Sequence, residues 1–210
     1  RAAYPRPIAC AIAVALALLS IGGCGQEAEP APTPPVPLVT VFQVGSRPSA
    51  LGFDGEHVWV ANSGDDTVSR LRRDGGVVGI YPVGKNPNAV TYGGGYVWVA
   101  NQGDDTVTQL TLSGQPLKTI DVGKEPVGLI YWEGALWVAS YGDGSLLKLS
   151  REGKVLASVS AGKHPRALGL GFGHLWVTSQ ADSTLTKVDR EGAVVAVYNV
   201  SGSPSPGVST

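Results

Sequence analysis

Trp59, Trp98, Trp137 and Trp176 follow one another at a single unvarying interval. Three other columns keep the same period: Gly45, Gly84, Gly123 and Gly162; Pro48, Pro87, Pro126 and Pro165; and Asp65, Asp104, Asp143 and Asp182. A period of roughly 40 residues restricts a chain to architectures whose units are each too small to bury their own apolar face. Such units must stack on their neighbours.

Within each unit, four short runs of β-type composition alternate with turns rich in Gly, Asp, Asn and Ser, and no helical period appears. In the first unit the runs are Ser49–Phe53, His57–Ala61, Thr67–Arg72 and Val77–Val83. Four strands per repeat unit, arranged radially, predict an all-β β-propeller of four-stranded blades near 48–83, 87–122, 126–161 and 165–200, within 38–210. Along His57-Val58-Trp59-Val60-Ala61 the side chains alternate between faces, yet both faces are apolar or aromatic. A strand of that kind is buried on both sides. The tryptophan column therefore predicts packing between blades, not a ligand platform.

The segments WVANSGDDTVSRL (59–71) and WVANQGDDTVTQL (98–110), with the VG-x-x-P step that follows, resemble YVTN-type propeller repeats. They also resemble the related repeats of streptogramin lyase-like proteins. The resemblance covers 38–204 and implies the propeller fold; such repeats host binding proteins, surface-layer proteins and enzymes alike. Units three and four depart from the pattern, reading ASYGDGSLLKL and TSQADSTLTKV.

The N-terminus carries a different message. Arg1 and Arg6 precede a continuous apolar stretch from Ile8 to Leu19, the length of a secretory h-region and too short to cross a bilayer. Ile21-Gly22-Gly23-Cys24 resembles the bacterial lipobox, which implies a lipoprotein signal peptide over 1–23 and lipidation at Cys24. The Pro-, Ala- and Glu-rich residues 24–37 then read as an extended tether. The expected location is the bacterial cell envelope, lipid-anchored and extracytoplasmic, with the membrane as a partner through Cys24. Cys10 would leave with the signal, so no disulfide or Cys-based metal site is expected. Without the signal the chain holds 14 basic and 17 acidic residues. No basic stripe remains, and nucleic acid is not an expected partner.

The given sequence starts at Arg1 and contains no Met; Leu38–Val44 reads as the outer strand of a blade whose other strands lie elsewhere, and Val200–Pro204 restarts the repeat in phase. These features lead us to expect a truncated part of a ring with more than four blades. The other reading is a small four-bladed ring with an extra N-terminal strand.

Loops positioned by rigid blades are where ligands usually bind. The aspartate column and the column Ser46, Lys85, Lys124 and Lys163 stand in two loop types that share one face. A ring of aspartates suggests a metal, but Asp in such turns is also a turn former that bonds its own backbone. No metal site is assigned. More informative are columns that vary, since packing does not explain them: Arg47, Asn86, Glu125 and His164; Ser49, Asn88, Val127 and Arg166; and Ser63, Gln102, Tyr141 and Gln180. Glu125, Tyr141, His164 and Arg166, with Asn88, Lys124 and Lys163, are the candidate ligand-binding residues. The expected function is a non-catalytic scaffold that binds a small molecule or a protein at its rim and needs no cofactor. The resemblance to streptogramin lyase-like proteins implies an alternative, in which Glu125 and His164 act as an acid/base pair with a divalent cation such as Mg. His57 and His174 share a column with Tyr96 and Ala135 and read as tolerant edge positions. Trp132, off the repeat grid, is either an exposed anchor for a partner or a cap on the blade's lower end.

Overall fold

The computed structural model describes residues 40–200, which hold sixteen β-strands and no helix. The expected signal segment, Cys24, the expected tether, Leu38 and residues 201–210 lie outside the described residues. The strands form four antiparallel sheets, each ordered as in the chain. Blade 1 contains β1 (Pro48–Phe53), β2 (Val58–Asn62), β3 (Thr67–Leu71) and β4 (Val77–Pro82). Blade 2 contains β5 (Pro87–Gly93), β6 (Tyr96–Asn101), β7 (Thr106–Leu110) and β8 (Pro116–Asp121). Blade 3 contains β9 (Pro126–Trp132), β10 (Ala135–Ser140), β11 (Ser145–Ser150) and β12 (Val155–Ser160). Blade 4 contains β13 (Pro165–Gly171), β14 (His174–Ser179), β15 (Thr184–Val188) and β16 (Val194–Asn199). Of the expected Leu38–Val44 strand, the described residues 40–44 are irregular and belong to none of the four sheets.

The period places each tryptophan in the same cross-strand register. Trp59 pairs with Arg70, Trp98 with Gln109, Trp137 with Lys148 and Trp176 with Lys187. The three cationic partners lie over the indole rings, 5.6 Å, 5.3 Å and 5.6 Å from the centroids for Arg70, Lys148 and Lys187. Such contacts add about 0.5–1 kcal/mol at exposed sites.

Packing between blades follows one rule. Trp59 is buried against Val97 and Val99, Trp98 against Leu136 and Val138, and Trp137 against Leu175 and Val177. Each indole thus sits on the two residues flanking the next indole. Burying roughly 150–250 Å² per Trp contributes on the order of 4–6 kcal/mol gross at ~25 cal/mol/Å². Among the described residues no blade follows Trp176, and it is only half-buried.

The first strands β1, β5, β9 and β13 pack side by side in sequence, and β13 makes no comparable contact with β1. The four blades are therefore an open arc. At its two ends the apolar surface is exposed, Leu51 and Phe53 on β1, and Leu170 and Phe172 on and beside β13.

At the lower end, Trp132 lies half-buried beside Trp137, with ring centroids 6.3 Å apart. It caps the core cluster around Trp137. His57 is not a tolerant edge residue. It is buried, with Nδ1 3.1 Å from Arg70 Nη2 and 3.7 Å from the Asp54 carboxylate. Asp54 also accepts hydrogen bonds from the Trp59 indole N–H and from the amides of Glu56 and His57.

Candidate functional site

The rim is built from two loop types that lock together. Asp65, Asp104, Asp143 and Asp182 do not bond their own turns, as local turn chemistry suggested. Each carboxylate accepts from a backbone amide of the inter-blade loop: Ser46, Lys85, Lys124 and Lys163, at 2.5, 2.8, 2.7 and 2.7 Å. The aspartate column thus clamps each blade to the chain entering it. The amides of Asn86 and Glu125 are held in addition by Asp66 and Asp105 of the preceding blade, both at 2.8 Å. In blade 3 the equivalent of these aspartates is Gly144, so the amide of His164 has no such tether.

Common to all four loops are the clamp on the preceding amide and a carbonyl oxygen that accepts from the amide of Ser63, Gln102, Tyr141 or Gln180, and the loop makes a left-handed turn there. Arg47, Asn86, Glu125 and His164 all have φ near +50° (51°, 49°, 51° and 54°). Side chains other than Gly avoid that region at a cost of about 1 kcal/mol or more. The surrounding hydrogen bonds therefore impose the conformation, and the four side chains are presented at equivalent places on the rim.

Inside this rim, Asn88, Gln102, Val127, Tyr141 and Arg166 line one cavity of about 330 Å³. Asn88 comes from β5, Val127 from β9 and Arg166 from β13, each one residue past the repeat proline. Gln102 and Tyr141 come from the loops after β6 and β10. Three successive blades therefore contribute to a single pocket near the arc's inner edge. The Gln102 carbonyl oxygen accepts from Asn88 Nδ2 at 2.7 Å and from Asn86 Nδ2 at 3.2 Å. This leaves the Gln102 amide nitrogen, the Tyr141 hydroxyl and the Arg166 guanidinium as donors without a protein acceptor among the described residues. The Tyr141 ring stacks on His164, with centroids 4.4 Å apart and planes 11° from parallel.

Of the residues singled out from sequence, Asn88, Tyr141 and Arg166 share the pocket, and His164 joins them through the stack. Glu125, Lys124 and Lys163 do not line it. The Glu125 amide donates to Asp105, and the Glu125 carbonyl oxygen accepts from the Tyr141 amide. Lys124 and Lys163 act through their backbone amides. Gln102 and Val127 complete the wall; both stood in variable columns, but an amide and a valine announce no chemistry alone. Among the described residues no three of His, Cys, Asp and Glu gather where one metal ion could be held. Glu125 and His164 therefore do not form a ready cation site.

No family sequence model matches the chain, and no curated protein matches it in sequence. Its fold does match solved structures. A streptogramin B lyase structure aligns with a TM-score of 0.67 at 16% identity, over 75% of this chain and 56% of that one. Kuenenia stuttgartiensis hydrazine synthase aligns at 0.67 and 19%, over 77% and 51%. Virginiamycin B lyase from Staphylococcus aureus aligns at 0.66 and 18%, over 73% and 56%. The chain spans little more than half the length of each. At these identities the likeness is one of fold, and it places the four sheets among β-propellers.

Proposed function

We propose that this chain is a non-catalytic binding scaffold, anchored outside the cytoplasm of a bacterium through lipidated Cys24. Its ligand is a small molecule bearing a carboxylate or similar anionic group together with a planar or apolar part. One observation carries the reading: a concave pocket presents Arg166, the Gln102 amide nitrogen and the Tyr141 hydroxyl as uncommitted donors, beside Val127 and a stacked Tyr141–His164 pair. Arg favours bidentate pairing with planar anions, and sites of this shape combine a few fixed polar groups with apolar walls. The net charge is slightly negative, so attraction of an anion must come from Arg166 itself and not from the overall field.

A screen of small carboxylates by ligand-observed NMR tests this on the purified chain and on Arg166→Gln. Binders that are retained by the variant with unchanged affinity would refute the site. Metabolic labelling with a fatty acid tests the anchor, with the label expected to vanish in Cys24→Ser.

A second reading, a lyase-like enzyme using Glu125 and His164, is favoured by the fold shared with two lyases. It requires activity on a cyclic ester that a chelator removes and His164→Ala abolishes. No step is routed through a cation here, because the residues at hand do not make its site.

A further inference from the structure

The part of the pocket wall that blade 2 supplies is a pair of amide side chains joined in one direction. Asn88 Nδ2 donates to Gln102 Oε1 at 2.7 Å, and Asn86 Nδ2 donates to the same oxygen at 3.2 Å. Both lone pairs of that oxygen are then engaged. Oε1 is thereby fixed toward the two asparagines, and the Gln102 amide nitrogen is left over. Asn86 is itself held, because its backbone amide donates to the Asp66 carboxylate at 2.8 Å and its φ is 49°. The contacts running from Asp66 through Asn86 to Gln102 thus decide which end of the Gln102 amide is free. What remains is one acceptor, Asn88 Oδ1, and one donor, Gln102 Nε2, neither with a protein partner among the described residues.

The pair is not a by-product of the repeat. Its equivalents in blade 1, Ser49 and Ser63, donate their hydroxyls to the backbone carbonyl oxygens of Pro87 and Arg47. The opposite wall is also peculiar to this place. After Val127 comes Gly128, where the other blades have Ala50, Ala89 and Ala167. A Cβ at Gly128 would stand 2.7 Å from the Arg166 carbonyl oxygen. The missing side chain lets β13 approach β9 and seats Arg166 beside Val127 in the cavity.

A carboxylate satisfies Arg166 but leaves the Asn88–Gln102 pair unused. A free acceptor and a free donor on two joined amides match the N–H and C=O of one secondary amide, which extends the same amide chain. Polar groups covered by a ligand and left unpaired cost affinity, so the favoured ligand carries both functions. We infer that this pocket recognises an N-acylated α-amino acid, either free or as the carboxyl end of a peptide. Its carboxylate pairs with Arg166, its amide N–H donates to Asn88 Oδ1, and its acyl oxygen accepts from Gln102 Nε2. Its side chain lies along Val127 and Tyr141. The inference rests on the carboxylate reading above and narrows it to one chemical class.

Isothermal titration of the whole chain with related probes tests it. N-acetyl-L-phenylalanine carries both functions, 3-phenylpropanoate lacks the acylamino group, and N-acetyl-L-phenylalanine methylamide lacks the carboxylate. The first should bind about tenfold more tightly than either of the others. Asn88→Leu should abolish the preference between the two carboxylates. Asn86→Gly, a relaxed substitution at that exposed left-handed position, should reduce the preference, because Gln102 is then free to turn over. Equal binding of the two carboxylates, lost in Arg166→Gln, overturns the amide inference and leaves the carboxylate site standing. Binding of neither carboxylate, or binding that Arg166→Gln does not weaken, overturns both. A preference that survives Asn88→Leu overturns the assignment of the amide to this pair. Within the supported class, an N-acetylated tetrapeptide ending in phenylalanine assigns the source. Affinity equal to or above that of the single residue identifies a peptide end, and a clear loss identifies the free acylamino acid.

Discussion

Tyr141 and His164 lie face to face with their ring centroids 4.4 Å apart, although one follows β10 and the other enters β13. The stack turns two loops into one wall beside Arg166. It also offers a clean perturbation, because His164 has a φ of 54° and Gly is relaxed there. His164→Gly trades a stacking contact of about 0.5–1.5 kcal/mol against relief of about 1 kcal/mol of backbone strain. The midpoint of urea unfolding should therefore barely move. Affinity for a ligand found in the carboxylate screen should fall roughly tenfold, or about 1.4 kcal/mol. Isothermal titration on the variant checks this, and an unchanged affinity would separate the stack from the site.

Gly84 is required by space, since its φ is not in the left-handed region. A Cβ there would stand 2.7 Å from the fully buried Asn101 side chain, which is held by Thr106 and Thr108. Gly84→Ala should destabilise by about 1–3 kcal/mol through overpacking. Gly169, with open space around its Cβ position, is the contrast. Gly169→Ala should be neutral or gain a few tenths of a kcal/mol, and paired thermal melts would show whether the two glycines differ in this sense.

Asp54 makes part of the fold's stability depend on acid. Burial acts to raise its pKa, but hydrogen bonds from the His57 amide, the Trp59 indole and the Glu56 amide, together with the nearby His57 ring, outweigh it and hold the carboxyl below its ordinary value. A carboxylate with a depressed folded pKa contributes stability that is complete above its unfolded pKa. That contribution is lost as the pH falls through the folded value. Unfolding free energy should thus decline from about pH 4 downward with a slope that Asp54→Asn reduces. At pH 7 the variant should cost about 1–3 kcal/mol through the lost charge-assisted bonds. Urea titrations from pH 7 to pH 3 would expose a wrong assignment as parallel curves.

The indole nitrogens are unequal. Those of Trp98 and Trp176 donate to the Gly93 and Gly171 carbonyl oxygens at 3.1 and 3.0 Å, whereas the buried Trp137 Nε1 has no partner among the described residues. Trp132 stands where the neighbouring repeats have Gly93 and Gly171. Trp137→Phe removes an unpaired donor and Trp98→Phe removes a paired one. The second should therefore be the more damaging by about 1 kcal/mol. Denaturation of the two variants under one condition decides it.

Much of the architecture was legible because the period acts on every level at once. The strand read as His57–Ala61 is Val58–Asn62, one residue displaced, and the first outer strand ends at Pro82, not Val83. The inward role of the tryptophans followed from a strand apolar on both faces. The aspartate column was visible, but its purpose was not. Its hydrogen bonds reach 19 residues back along the chain to amides whose direction depends on how the inter-blade loop turns. His57 was misread for a similar reason. Asp54 lies three residues away in the same turn, but Arg70 meets it only once β2 and β3 are paired.

The site divides along the same line. Asn88, Tyr141 and Arg166, singled out as departures from a repeat that packing does not explain, line one cavity. Glu125, Lys124 and Lys163 were equally conspicuous, yet none of the three lines the pocket. Composition and spacing alone determined four-stranded blades, their order and the columns that share one rim, because an unvarying period repeats every local choice of turn and strand. Only the tertiary structure decided that Tyr141 stacks on His164 and that the arc is open between β13 and β1. Those relations depend on the angle and separation between packed sheets, which no stretch of one repeat encodes by itself.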